Sequence, residues 1–161
     1  MIVRPEEPAD YAAVRTVVET AFPTPAEARL VDQLRADGDA EISLVAADGD
    51  AIIGHVIFSR ITAGFRALGL GPVAVLPARQ RSGAGNLLIT RGLAQAKAEG
   101  WEIVFVLGDP NYYRRFGFDP AAASGCISPY AGPHLMALGL SQPLPSLTGK
   151  IDYAPAFAAL E

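Results

Sequence analysis

Between Pro77 and Asn86 the chain reads Pro-Ala-Arg-Gln-Arg-Ser-Gly-Ala-Gly-Asn, a short polar and basic turn closed by two glycines. The apolar run Val73 to Leu76 precedes it. Behind it Gly85, Leu88, Ile89, Gly92, Leu93 and Ala96 recur at the three- and four-residue steps of one helix face. Strand, glycine turn and helix together aim several free N–H groups, and the positive end of a helix dipole, at one bound anion. Glycine at 83 and 85 lets that ligand approach backbone that a Cβ would shield. The chemistry expected here is the binding of a phosphate or pyrophosphate. It is not a P-loop, because Asn86 and Leu87 stand where Lys and Ser/Thr are needed. Nor is it a dinucleotide fingerprint, because position 88 is Leu88 rather than a third glycine.

A second segment, Leu107-Gly-Asp-Pro-Asn-Tyr-Tyr-Arg-Arg-Phe-Gly-Phe118, begins where the apolar run Ile103 to Leu107 ends. In open α/β sheets ligands gather at the carboxyl ends of strands, where neighbours diverge. This segment is therefore expected beside the anion-binding turn.

Positioning both segments requires a βαβ unit. Residues 68–76 and 103–107 read as strands joined by the helix that starts near Gly85, so they are expected to be parallel. The second strand is apolar throughout, as a strand covered on both faces should be. Met1 to Pro5 reads as a first strand. A helix follows with Pro8 and acids in its first turn, burying Tyr11, Val14, Val17 and Val18. Phe22-Pro23-Thr24-Pro25 breaks it, with Thr24 as cap and Pro25 at the first position of a second helix running to about Asp37. The two helices are expected to form a lid over one edge of the sheet. Residues 42–47 and 51–61 form a hairpin around Asp48-Gly49-Asp50. In the Pro- and Gly-rich tail, short strands are expected near 133–138 and 149–153.

With 161 residues, half of them hydrophobic and 19% charged, the chain is expected to be one globular domain spanning residues 1–161. A net charge of −4 shows no sign of a nucleic-acid footprint, and no nucleic-acid partner is expected. No apolar run reaches the roughly 20 residues of a membrane helix, so no membrane partner is expected. The N-terminus lacks signal-peptide anatomy and Cys126 stands alone, which fits a cytoplasmic protein. No Cys/His cluster of zinc type occurs, and no metal is expected.

Gln80-x-x-Gly83-x-Gly85, after a strand and a proline, resembles the acetyl-CoA pyrophosphate loop of the GNAT superfamily of N-acetyltransferases. Tyr113-x-x-x-Gly117-Phe118 is similar to the segment after the fifth strand of many of its members. With Gly54-His-Val-Ile-Phe-Ser59, Leu70-Gly-Pro-Val-Ala-Val-Leu-Pro77 and the tail from Gly149 to Phe157, the likeness extends over the whole chain to the YhbS-like subgroup. One departure is Val106, which stands at the spacing where many members carry an asparagine.

The resemblance implies an α/β fold of GNAT type. Its mixed central sheet would have about six or seven strands flanked by helices, with a splayed central pair of parallel strands. It implies acetyl-CoA as co-substrate and an amine as acceptor. Main-chain groups of Val73, Ala74 and Val75 would pair with the pantetheine arm as if it were another strand. The turn formed by Gln80, Arg81, Ser82, Gly83, Ala84, Gly85 and Asn86 would hold the pyrophosphate, with Arg79, Arg81 and Arg91 as further charged donors. Tyr113 would serve the departing thiolate as a hydrogen-bond or proton donor, its plainer alternative being a packing aromatic beside Tyr112. The Val75 N–H would polarise the thioester carbonyl.

The central strand offers no carboxylate as base. Glu27, Glu41 and His55 are the candidates, and the residues do not choose among them or a water chain. Two other readings stay open: an acyl-CoA-binding or regulatory module without transfer, and a transferase using another acyl donor. Exposed strands in the tail could pair between subunits of a homodimer.

Overall fold

Alternating apolar residues decide which face each strand buries, and the sheet that results is covered on both sides. The computed structural model describes residues 1–141 and 147–160. Its strands are β1 (Ile2–Pro5), β2 (Ala40–Asp48), β3 (Ala51–Ile61), β4 (Ala67–Val75), β5 (Ile103–Leu107), β6 (Cys126–Ile127), β7 (Leu135–Gly139) and β8 (Gly149–Lys150). The helices are α1 (Tyr11–Ala21), α2 (Ala26–Ala36), α3 (Ala84–Ala98) and two single turns, α4 (Pro110–Tyr113) and α5 (Pro120–Ala123). Six strands form one sheet in the order β1-β2-β3-β4-β5-β7. Every pairing in it is antiparallel except β4 with β5, which is parallel as the βαβ reading requires. Among the described residues no helix is long and apolar enough to cross a membrane.

On one face, Leu88, Ile89 and Ala96 of α3 pack on Ile42, Leu44 and Ala46 of β2, on Phe58 of β3 and on Val104 and Val106 of β5. The alternate residues of β5, Ile103 and Phe105, join a second cluster with Ile61, Leu135 and Ile151. That division is why the β5 sequence is apolar at every position. On the opposite face Val14, Val17 and Val18 of α1 pack on Val45 and Ala74. The expected edge lid is therefore corrected: α1 lies across the face of the sheet. α2 packs instead on the C-terminal turn at 155–160, where Leu30 and Leu34 meet Ala154 and Ala156.

The approach of α3 to the sheet depends on Gly92. A Cβ there would run into Cε1 of Phe58, a fully buried ring. Gly92→Ala is expected to destabilise the fold by about 1–3 kcal/mol through overpacking, read as a lower urea midpoint at unchanged slope.

Two tail expectations need adjustment. The strand near 133–138 is observed as Leu135–Gly139 at the sheet edge. The strand over 149–153 shrinks to Gly149–Lys150, paired in parallel with Cys126–Ile127. Asp152 adds one isolated bridge to Thr62. Elements of two residues carry no readable period. At the α2 start, Pro25 takes the cap position rather than the first helical one, and Thr24 Oγ1 accepts from the Ala26 N–H at 3.4 Å.

Candidate active site

The parallel strands part company early. β4 pairs with β5 only from Ala67–Ile103 to Leu70–Val106, although β4 continues to Val75. Between the pairs Val56–Val73 and Phe58–Leu70, one residue of β3, Ile57, faces Gly71 and Pro72 of β4. This bulge re-aims β4 and opens a gap on its β5 side. Leu76 N–H donates to Ile53 O at 2.9 Å, on the β3 side. Backbone groups alternate sides along a strand, so those of Val75 and Val73 face the gap. Ala74 is a correction. Its main chain turns to β3 and its side chain is buried against α1, so only its two neighbours can pair with a ligand.

Two cavities flank this gap. The larger, about 720 Å³, runs over Val73, Val75, the turn at Arg79, Gln80, Arg81 and Gly83, and the first turn of α3 at Ala84, Gly85 and Asn86. Gly83 caps α3 in the left-handed region at φ 90°. The first helical bond runs from Leu87 N–H to Gly83 O. The N–H groups of Ala84, Gly85 and Asn86 therefore precede the intrahelical ladder and are available to an anion. Ser82 is exposed and does not line the groove.

Of the three arginines expected here, Arg79 and Arg81 line the groove. Arg79 also reaches Asp48 at 2.5 Å, which holds that carboxyl below its usual range. Arg91 lies exposed further along α3, outside the groove. Sequence reasoning missed Arg115, which lines the groove with its guanidinium 4.4 Å from the centre of the Tyr112 ring. It also undervalued Tyr112, whose hydroxyl donates to Asn86 Oδ1 at 3.1 Å and ties α4 to the glycine turn. The available signal was spacing: Tyr112 and Arg115, three apart on a helical turn, share one face.

The second cavity, about 400 Å³, lies on the other side of Tyr113. Its wall includes Leu70, Gly71 and Pro72 of the bulge, Leu107 at the end of β5, Glu27 and Leu30 of α2, and aromatic rings of the tail. Tyr113 and Val73 line both cavities. The Tyr113 ring packs edge-on to Tyr112 and Phe118 and lies against Gly108, where a Cβ would approach it to 2.5 Å. Burial, with a smaller contribution from Tyr112, pushes the phenol up to about 12. Its hydroxyl makes no hydrogen bond to any described residue.

The three candidate bases separate cleanly. Glu41 is paired with Arg60 at the surface, Nε to Oε1 at 2.9 Å, and lines neither cavity. His55 is fully buried in a network of its own. Glu6 receives Arg35 Nε at 3.0 Å and Ser43 Oγ at 3.1 Å, while His55 Nε2 sits 2.8 Å from Ser43 Oγ. This order assigns the proton to Nε2, which donates to Ser43, which donates to Glu6. Desolvation, against the opposing pull of Glu6, holds the imidazole down at about 4. Only Glu27 faces a cavity.

The buried His55 fixes a pH dependence of stability. Its ordinary value is 6.5, so between pH 6.5 and about 4 the folded chain binds fewer protons than the unfolded chain. Its contribution is complete above pH 6.5 and falls by about 3 kcal/mol as pH drops through that window. Urea midpoints measured from pH 7.5 to 4.5 are expected to fall steeply, and to flatten in His55→Gln.

Known proteins are similar to this chain in sequence and fold. The model of the acetyltransferase (GNAT) family matches residues 11–118. The N-acetyltransferase YhbS of Escherichia coli is 36% identical over 126 residues, covering 76% of this chain and 75% of that protein. Its crystal structure in complex with CoA superposes with a TM-score of 0.88 at 31% identity, covering 98% of this chain and 91% of that one. A GNAT family acetyltransferase from Brucella melitensis, in complex with acetyl-CoA, gives a TM-score of 0.82 at 36% identity, with 97% of each chain covered. The N-acetyltransferase YjhQ of Escherichia coli is 35% identical over 161 residues, 90% of this chain and 87% of its own.

Proposed function

The chain belongs to the acetyltransferase (GNAT) family, and from that membership we propose that it transfers the acetyl group of acetyl-CoA to a primary amine by direct attack in a ternary complex. One observation carries this reading: the groove ending at the free N–H groups of α3 and the cavity bounded by Glu27 meet at Val73 and Tyr113. Coenzyme laid along Val73 and Val75, with its pyrophosphate at Ala84 to Asn86, brings its thioester to that junction. The CoA and acetyl-CoA complexes of the two structural relatives support this choice of donor.

In the reaction the amine nitrogen attacks the thioester carbon, forming C–N and moving a pair onto oxygen. The Val73 N–H, which faces the gap at that junction, donates to that oxyanion; Val75, expected in this role from the sequence, lies two residues nearer the pyrophosphate turn. The C–S bond then breaks, and the proton lost by nitrogen ends on sulfur as the CoA thiol. Tyr113 acts as a hydrogen-bond donor to the departing thiolate. A phenol at about 12 against a thiol near 8.5 makes full proton release uphill by roughly 5 kcal/mol, whereas donation of a hydrogen bond requires only that the phenol stay protonated. An incoming ammonium ion sheds its proton to Glu27, directly or through water. Holding amine and thioester in line contributes up to roughly 7–11 kcal/mol of the acceleration.

Thiol release from acetyl-CoA across a panel of amines tests the proposal, with butyryl-CoA as the donor control. Release that needs both acetyl-CoA and an amine supports it. Acetyl-CoA binding without release for any amine assigns a coenzyme-binding module instead, and a preference for butyryl-CoA assigns a different acyl donor.

A further inference from the structure

Two buried polar atoms are left unpartnered beside the smaller cavity. Glu27 lines it from the first turn of α2, and its Oε2 is buried without a hydrogen-bond partner among the described residues. Tyr153 lines it from the tail, and its hydroxyl is buried and unpartnered too. The Tyr153 ring is fixed from both sides: it stands edge-on to Tyr130 and Phe157 and lies against Gly69 of β4, where a Cβ would meet it at 2.8 Å. Folded chains satisfy nearly all buried polar atoms, and an unmatched one costs about 1–3 kcal/mol, more if charged. Both belong to side chains of one cavity wall, where a bound ligand could complete the bonding.

The remaining wall is hydrocarbon and aromatic, and Glu27 is the one charged side chain among the described lining residues. A volume of about 400 Å³ is near the lower end of the roughly 300–1,000 Å³ typical of small-molecule sites. We infer that the acceptor is a primary monoamine on a compact apolar or aromatic body, its ammonium group against Glu27 and its hydrocarbon among Phe22, Leu30, Tyr130 and Phe157. This rests on the transfer reading above and adds the substrate class to it.

Charge matching gives the selectivity. One carboxylate offsets one ammonium. A second ammonium, as in a polyamine, would be desolvated against aromatic carbon with no counter-ion. A neutral alcohol of the same shape would fill the hydrocarbon part and leave Glu27 unmatched. Selection therefore follows both the single charge and the apolar body.

Calorimetric titration of the CoA-saturated protein separates binding from turnover. Phenethylamine, spermidine and phenethyl alcohol are titrated into the wild type and into Glu27→Gln, with retained CoA affinity showing that the variant is folded. Phenethylamine is expected to bind at least about tenfold more tightly than spermidine. Glu27→Gln is expected to weaken phenethylamine about tenfold or more, on the scale of a desolvated charge pair, and to leave phenethyl alcohol within about twofold. Tighter spermidine binding, no phenethylamine binding, or equal phenethylamine affinity in the variant would overturn the inference. Thiol release with acetyl-CoA is then read on the same amines. Phenethylamine that binds as expected while no amine of the panel releases thiol upholds this site and refutes transfer. Release with spermidine but not phenethylamine upholds transfer and refutes this site.

Discussion

Gly85→Asp is expected to weaken acetyl-CoA binding by at least about 100-fold, near 3 kcal/mol, while leaving the fold intact. A Cβ at this position would lie 3.4 Å from the Tyr112 hydroxyl and 3.8 Å from Val75 Cγ2, both ordinary contacts, so the side chain fits. Its carboxylate would then stand in the groove that the pyrophosphate needs. It would bond the N–H groups of Ala84 to Asn86 and repel the incoming anion. The same charge lies in the first turn of α3, where the helix dipole favours it, so stability should change by no more than about 1 kcal/mol. Gly83 is a poorer choice for this experiment. At φ 90° any side chain there adds backbone strain of about 1–2 kcal/mol, which confounds loss of binding with loss of fold. Calorimetric titration with acetyl-CoA, beside urea midpoints, reads both quantities. Wild-type affinity in Gly85→Asp would place the pyrophosphate elsewhere.

Tyr113→Phe is expected to lower kcat about 100-fold and to leave KM for acetyl-CoA within about threefold. The phenol hydroxyl is the only part removed, and it makes no hydrogen bond to described residues, so the packing against Tyr112 and Phe118 is kept. A group that serves the thiolate only as it forms should appear in kcat rather than in ground-state binding. Because burial raises this phenol to about 12, it stays protonated through pH 10, and the rate should show no loss from its ionisation below that pH. Tyr112→Phe should behave differently. It loses the bond to Asn86 Oδ1, so its effect belongs to coenzyme KM. A Tyr113→Phe variant with wild-type kcat would remove the hydroxyl from the chemistry.

Much of this architecture was legible before any coordinates. The uninterrupted apolar run of Ile103 to Leu107 announced a strand buried on both faces, and the two clusters it feeds are the physical cause. The glycine turn announced a left-handed helix cap after a strand, and Gly83 at φ 90° ahead of α3 is that cap. What remained hidden depends on tertiary placement. Glu27, Glu41 and His55 were equivalent as residues. Only packing of α2 on the tail brings Glu27 to a cavity, while Arg60 occupies Glu41 and the Glu6–Ser43 network occupies His55. Ala74 was inseparable from Val73 and Val75 until the β3 register showed which backbone groups were already engaged. Arg91 and Arg115 changed places for a related reason. Arg91 lies seven residues past Ala84, about 10 Å along α3 from its N-terminus, whereas the turn at α4 swings Arg115 over Tyr112 and into the groove.

In the proposed reaction the acetyl group passes directly from coenzyme to amine at the junction of the two cavities, with no acetylated protein on the way. Cys126, the single cysteine of the chain, is packed beneath the tail beside Leu147 and lines neither cavity. A single-turnover experiment distinguishes direct transfer from an acetylated intermediate: excess protein is mixed with acetyl-CoA, with and without an accepting amine, and free CoA and intact protein mass are followed together. The predicted result is CoA release only when the amine is present, in step with acetylated amine, and protein mass unchanged throughout. Release of one equivalent of CoA without amine, with one acetyl group gained by the protein, would contradict it.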